Sequence, residues 1–498
     1  MGTAPFTAKR GGLFIQPGGP NTACYYLGCH TLGDLTEKEK GVELLRCLNP
    51  EGDGWRTVGN TITPPDPVEF SIECRMAKTR SWIQSIEMPA SFYVLQSETG
   101  RRDNIKNYDA GNVIVHGERT QKTKTNMAHM EEDKTAMVSA DWQAYPPVYE
   151  VDRLVGERKT TAATDDLNDV WMNPDAHDAA SWGTRLYRGQ LGLIVGESDA
   201  GPALATCLFA TDYANTLAPA AADPFAAGQD IRAGKFFYVG QNLRRYLVAM
   251  EPPAGGQGMV AYSDDGGATW TQVNIGGAVA GHGGAFGSCL WAPNENFVLL
   301  ASVLGYIYKS IDGGASFDAV ESGTITADGY GCIHADETDT YCVAGAPADI
   351  IALSDDGGET WVVSPADTGS GADIISCWRF DEQRMWVGTD GGDLWYSGNG
   401  GLAWVQQTRF PGPAGGVVTA MYWVNDHIGY VLYTVGGVAT LCRTFNGGYD
   451  WEVLTTPANS GGRAVMAPAV NLAYIVGDVE AGTGFIARFK SVGMPLLS

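Results

Sequence analysis

Residue types capable of chemistry recur along this chain in one arrangement. Ser263 stands two positions before Asp265 and seven before Trp270, with Gly266 and Gly267 between them. A hydroxyl so close to a carboxylate invites two chemical readings, catalysis and ion binding. The same box returns as Ser310, Asp312, Gly314, Phe317 and as Ser354, Asp356, Gly358, Trp361. With Asn in place of Asp it returns as Ser397, Asn399, Gly401, Trp404 and as Thr444, Asn446, Gly448, Trp451. The first residues fall at 263, 310, 354, 397 and 444, in steps of 47, 44, 43 and 47. A fixed period in this range marks a repeat architecture. The box is therefore read as structure: Gly-Gly accepts the positive φ of a tight turn, and the Asp or Asn side chain caps N–H groups inside it. The closing Trp or Phe starts the next strand and fills the gap to a neighbour, burying ~150–250 Å².

The other reactive residue types form no constellation. Asp336, Asp390, Asp393 and Asp426 read as loop acids. Two carboxylates across a cleft are what glycoside hydrolysis requires, but 31 acids follow residue 178, so some pair always falls at a suitable spacing. His282, His334 and His427 show neither triad nor metal spacing and read as loop or strand residues. Cys24 and Cys29 lack a second pair at zinc-ligand spacing. Cys289, Cys332 and Cys377 sit at predicted strand starts before successive boxes, the place of a small buried apolar residue. The cysteines thus suit a reducing compartment, and no catalytic, cofactor-binding or metal-binding residue is assigned.

The elements that position the boxes follow from the period. In the unit around Ser310, strands are expected at 288–292, 296–302, 305–310 and 316–320. Four short antiparallel strands per ~45 residues make one propeller blade. Weaker copies occur at 210–217, where Asp212 keeps its offset, and at 485–491, where Ser491 falls 47 after Thr444. Seven blades over 181–498 are expected, the last completed by a strand near 182–188 so that no sheet edge stays open. Residues 156–180 read as a linker with a short helix at 165–171.

Residues 1–155 hold no copy of the box. Strands are expected there at 23–27, 42–48, 55–58, 68–74, 91–95, 112–116 and 136–140, with one helix at 79–86. Residues 64–67 are Pro-rich and mark a loop or edge; 98–108 and 119–134 are charged and read as solvated loops or contact arms. The fold class is therefore mostly all-β: an N-terminal β-sandwich-like domain with one helix, then a seven-bladed propeller.

The net charge is −24, with 19 basic against 26 acidic residues up to position 178 and 14 against 31 thereafter. Such a surface argues against gripping nucleic acid through phosphates. No stretch approaches the roughly 18 consecutive apolar residues of a membrane span, so no membrane partner is expected.

The boxes resemble the Asp-box (sialidase-type, BNR) repeat, Ser-x-Asp-x-Gly-x-Thr-Trp, over residues ~180–498. This resemblance implies the propeller but not an activity, because sialidases, endoglucanases, sorting receptors and photosystem-assembly factors share it. A sialidase would carry an Arg triad, a Tyr–Glu pair, an Asp acid and a Phe/Tyr-Arg-Ile-Pro motif. Tyr187-Arg188-Gly189 is the nearest approach to that motif, so the chain is not expected to be an enzyme. In the first part, Gly11 to Asn21, Tyr25 to Cys29, Gly54 to Val58 and the segment 68–95 resemble phage tail-tube virion proteins. That resemblance implies stacked, commonly hexameric rings around a channel, with 60–67 and 119–134 as contact arms and DNA passing an acidic lumen without specific binding. The joint expectation is a homo-oligomeric tail-tube subunit, assembled in the host cytoplasm among other virion proteins, with the propeller on the exterior of the tail. The rival expectation is a propeller that binds or hydrolyses a host surface glycan.

Overall fold

The computed structural model describes the strands of residues 10–152 together with 21–23. From 154 to 491 it describes all but short stretches (162, 175–176, 180–183, 187–188, 199–204, 223, 225–229, 240–242, 251–258, 276–288, 303, 327 and 458–459). The helix expected at 79–86, the loops 64–67 and 98–108, and His282 lie outside the described residues. Two compact units are present: Met1–Arg153 with Phe445–Asp450, and Leu154–Thr444 with Trp451–Ser498.

In the first unit, seven strands form a sheet in the order Tyr25–Tyr26, Arg10–Pro17, Ala90–Ser97, Val113–Met127, Met137–Asp152, Val68–Arg75, Thr31–Leu32, and Val42–Leu48 pairs with Trp55–Ile62. The long hairpin Val113–Met127/Met137–Asp152 is its spine. One half of it pairs with Ala90–Ser97 and the opposite half with Val68–Arg75. Its register shifts at Gly117/Arg119 and Lys122/Lys124, and such bulges bend a strand and re-aim it. Residues 119–127, expected as part of an arm, are strand: the long-range ladder to Met137–Asp152 overrides their polar composition.

The second unit contains seven four-stranded antiparallel sheets among its described residues. Their first strands are Leu167–Met172, Ile231–Val239, Leu290–Asn294, Cys332–Ala335, Ile374–Arg379, Val417–Trp423 and Gly462–Ala469. Each first strand packs on those of both neighbours, and the seventh packs on the first, so they form a closed ring. Residues such as Leu193, Ile194, Val248, Leu299, Val343, Val387 and Val431 on the second strands are buried between sheets, which is why these strands read as continuous apolar runs.

Each box follows the third strand of its blade. Strands Met259–Ser263, Tyr306–Ser310, Ile350–Ser354, Leu394–Ser397 and Val438–Thr444 all end on a box's first residue. Both glycines of every box have positive φ, 66° to 83°. The Ser263 hydroxyl donates to Asp265 (2.8 Å) and accepts from Gly267 N–H (2.8 Å), while Thr269 donates to Asp265 from its amide (2.9 Å) and hydroxyl (2.5 Å). The sets at Ser310 and Ser354 repeat this geometry. Asn399 and Asn446 keep the amide cap through Ala403 and Asp450. The second box residue can also latch blades together. Asp264 takes a bidentate pair from Arg245 (2.8 and 2.7 Å), which also reaches the carbonyls of Asp312 and Gly313 in the next box.

The degenerate copy at Asp212 keeps this backbone without glycine. Tyr213 and Ala214 take the Gly-Gly places with φ of 58° and 59°, a conformation that costs an ordinary residue ~1–2 kcal/mol. Burial of both side chains and a hydrogen bond from Arg488 to the Tyr213 carbonyl (2.7 Å) hold it.

Three expectations are corrected. The closing blade is Gly462–Ala469, Leu472–Glu480, Thr483–Ser491 and Leu154–Arg158, so the fourth strand is 154–158 and not 182–188. Thr184–Leu186 instead pairs with His177–Ala179 in a hairpin, inserted before the first blade's second strand. Residues 156–180 are consequently not a linker: they hold part of the closing strand and the whole innermost strand of the first blade. The helix expected at 165–171 is that strand, Leu167–Met172, buried at every position. Polar Asp166 resembles part of a helix cap, yet its partners are tertiary: it accepts from Val479 N–H (2.7 Å) and pairs with Arg463.

Candidate binding cavity

The first strands of the ring run the same way, so their far ends meet at one mouth of the central channel. That mouth lies on the face of the boxes: Gly357 and Gly400, inside boxes, donate to Thr340 and Gln383 in the turns leaving the first strands (both 2.9 Å). A cavity of about 760 Å³ opens there, lined by residues of all seven first strands or the turns after them. This volume falls within the ~300–1,000 Å³ usual for ligand sites.

Its floor is aromatic. Trp171, Trp291, His334, Trp378 and Tyr422 come from five different blades. Trp171 meets Trp291 edge-on at 5.6 Å, Trp291 lies 4.2 Å from His334, His334 lies 3.8 Å from Trp378, and Trp378 meets Tyr422 at 4.9 Å. The same five residues line a smaller space on the other side, of about 120 Å³. The floor therefore plugs the channel and makes the mouth a blind cup.

His334 is held neutral by burial, which pushes its pKa well below the ordinary value. Its Nδ1 accepts from Arg379 N–H at 3.1 Å, so the ring proton sits on Nε2. Neither His334 Nε2 nor Trp291 Nε1 has a hydrogen-bond partner. Beneath the floor, Lys235 pairs with Asp169 at 2.5 Å and stands 4.8 Å from the Trp171 ring, both side chains nearly buried.

The rim is polar and acidic. Asp336 accepts from the Thr338 hydroxyl and from Thr340 and Tyr341 N–H (2.6, 2.9 and 2.9 Å), folding its own turn. Asp339 accepts from the Asn294 amide at 2.7 Å; burial, helped by repulsion from Asp336, outweighs that bond and raises its pKa. Burial also pushes Asp426 up, but hydrogen bonds from His427 (2.7 Å) and Arg384 (2.7 Å) win and hold it far below the usual range. Arg384 is shared with Asp381, and Arg379 is spent on Asp355 and the carbonyls of Cys342 and Ser354.

Of the acids singled out in the sequence, Asp336 and Asp426 line this cavity. Asp390 and Asp393 do not: Asp390 accepts from Asp373 N–H and Asp393 from Gln406. No box residue lines it. No motif marks the floor in the sequence, although a signal exists. Trp291, His334, Trp378 and Tyr422 precede the first residues of their boxes by 19, 20, 19 and 22 positions. Aromatic rings thus recur with the period of the box, one residue type varying at a constant place. Cys289, Cys332 and Cys377 are buried free thiols, with Cys377 in mid-strand. No group of metal-ligating side chains occurs among the described residues.

A closed ring of seven four-stranded sheets around a plugged channel defines a seven-bladed β-propeller. No protein-family model matches the chain and no curated protein matches it in sequence, whereas solved propellers match its fold. YCF48 bound to D1 peptide superposes with a TM-score of 0.50 at 14% identity, covering 68% of this chain and 95% of that one. YCF48 from Cyanidioschyzon merolae gives 0.48 at 14%, covering 67% and 98%. A GH74 xyloglucanase from Xanthomonas campestris gives 0.47 at 14%, covering 67% of this chain and 55% of that one. These likenesses establish the fold alone, since propellers with and without enzymatic activity are among them.

Proposed function

We propose that this chain is a non-catalytic assembly protein of a phage particle, a tail-tube subunit whose N-terminal unit self-associates and whose propeller, of the Asp-box type, serves as an interaction module. The observation that carries the self-association is the offset hairpin. Residues 121–127 of one strand and 148–152 of the other have no strand on their outer side among the described residues. Open ladder edges are templates for a strand from another copy, and strand addition across copies would close the sheet into a ring.

Against a hydrolase reading, three of the four acids lining the cavity, Asp336, Asp339 and Asp426, are engaged in holding the site together. The peptide carried by one structural neighbour supports the reading of the propeller as a protein-binding surface. Light scattering coupled to size exclusion, followed by negative-stain imaging, tests the proposal on the full chain. Rings or stacked tubes are expected; a monomer at all concentrations refutes it.

A further inference from the structure

We propose that Cys332 and Cys377 are a redox pair: a peroxide entering the space beneath the channel floor joins them in a disulfide that ties two neighbouring blades together at the plug. Cys332 opens the innermost strand Cys332–Ala335, and Cys377 lies on the next one round the ring, Ile374–Arg379. These two strands pack on each other. Both side chains belong to one apolar cluster, together with Val343, Ile351 and Ile374.

The two thiols are turned toward the same short stretch of the strand Cys342–Ala346. From its own blade, Cys377 reaches across and donates to the Val343 carbonyl at 3.6 Å. Cys332 pairs with Gly345 in the ladder. A methyl group added to that glycine would stand 2.8 Å from the Cys332 sulfur and would also press on Ile374 of the next blade. The bare glycine thus leaves the room in which the Cys332 sulfur faces the neighbouring blade. Burial, with the Cys377 thiol beside it, holds the Cys332 pKa well above the ordinary thiol value.

Both cysteines line the space of about 120 Å³ under the floor. Gly331, Ile375, Thr419 and Ala420 on the same walls are only half-buried, so the space reaches solvent away from the cup. A water occupies about 30 Å³, and a peroxide of similar size fits where a larger oxidant does not. Cys289, the corresponding thiol one blade earlier, is 1% exposed, lines neither space and donates to the Tyr330 carbonyl at 3.2 Å. It is therefore the internal control.

The chemistry closes on two thiols and one hydrogen peroxide. One sulfur is oxidised to a sulfenic acid as the peroxide leaves a first water; the second sulfur attacks it, the S–S bond forms and a second water departs. A thiol kept protonated by burial reacts slowly, so the pair survives brief exposure and closes on a prolonged one. His334 lies two residues beyond Cys332 and Trp378 directly follows Cys377, and their rings stand 3.8 Å apart in the floor. The bond accordingly fixes the plug from below.

The test treats the folded full-length chain with a modest excess of hydrogen peroxide, caps remaining thiols with N-ethylmaleimide and digests after glutamate without reductant. Cleavage there puts Cys332, Cys342 and Cys377 in separate fragments, 322–337, 338–359 and 360–382. The expected main cross-link joins 322–337 to 360–382 and disappears on reduction. Closing a loop of 45 positions should raise the melting temperature by roughly 5 °C. Cys332→Ser should abolish both changes and Cys289→Ser neither; mapping of the unaltered chain stands whether or not these variants fold. Thiols that stay reduced, sulfinic acid in place of the link, a link from Cys332 to Cys289 or Cys342, or a link formed only in urea each overturns the proposal.

Discussion

Replacing Lys235 by Met should destabilise the propeller more than any surface substitution. The Lys235 ammonium lies 2.5 Å from Asp169, with side chains 9% and 11% exposed. At that distance the attraction is about 6–7 kcal/mol with an effective dielectric constant near 20, most of it offset by the desolvation of both ions. The substitution removes the attraction and leaves the cost on Asp169, whose remaining donors are the amides of Val170 and Gly234. Breaking one side of such a buried pair costs about 3–5 kcal/mol. For a unit of this size that corresponds to a fall of roughly 5–10 °C in melting temperature. Tryptophan fluorescence reports the change locally, since Trp171 adjoins the ammonium. Asp169→Asn in the Lys235→Met background should recover most of the loss, giving a coupling of about 2 kcal/mol or more in a double-mutant cycle. A loss below about 1 kcal/mol for the single variant, or a double variant no better than the single, would refute the reasoning.

Three further outcomes are expected. Asp312→Ala should lower stability by about 1 kcal/mol, because it removes the acceptor for Ser316, Ala315 and Ser310, whereas Asp312→Asn should retain most of it, as Asn399 does in its own box. Hydrogen bonds from the Thr269 hydroxyl and amide and from Ser263 depress the pKa of Asp265 to about 2; at Asp312 and Asp356 burial opposes the shift, but the bonds from Ser316 and Thr360 prevail. A depressed folded-state value contributes stability that is complete above the unfolded value near 3.9 and is lost as pH falls from about 4 to 2; acid titration of a triple Asp→Asn variant should show a flatter profile in that window, and an unchanged profile counts against it. Gly267→Ala should cost about 1–3 kcal/mol, since φ is +81° and the added methyl would stand 2.5 Å from the Phe209 ring, while Ala214→Gly at the matching place should be near neutral in chemical denaturation, relief of strain offsetting chain entropy.

The parts of this fold legible in the sequence were those that require particular residues. Only glycine enters the left-handed region freely, and only a short polar side chain caps a turn of this size, so the boxes announced themselves and with them the third and fourth strands of the five blades that carry one. The channel floor asks for something broader, a flat ring at a constant place, and Trp, His and Tyr all satisfy it. It therefore left a periodic signal but no motif. The closing strand asks for less again. Leu154–Arg158 packs Leu154 and leaves Val155 and Glu157 largely exposed, so five residues with one firm apolar contact look like the start of a linker. The first blade's innermost strand was hidden for a different reason: Asp166, just before it, finds its partners across the ring seam, which no local pattern records.

That seam also sets an order of events. Arg158 binds Glu480 across 322 positions, and Arg488 binds Glu157 across 331. A ribosome therefore delivers six blades before the seventh can be finished, and the strand at 154–158 must wait beside the exit tunnel with its ladder unmade. The N-terminal strands up to residue 152 are all synthesised before that wait begins. A nascent chain of this design can begin organising its first unit while its ring is still an open arc, and the strands from Gly462 to Ser491 act as the clasp.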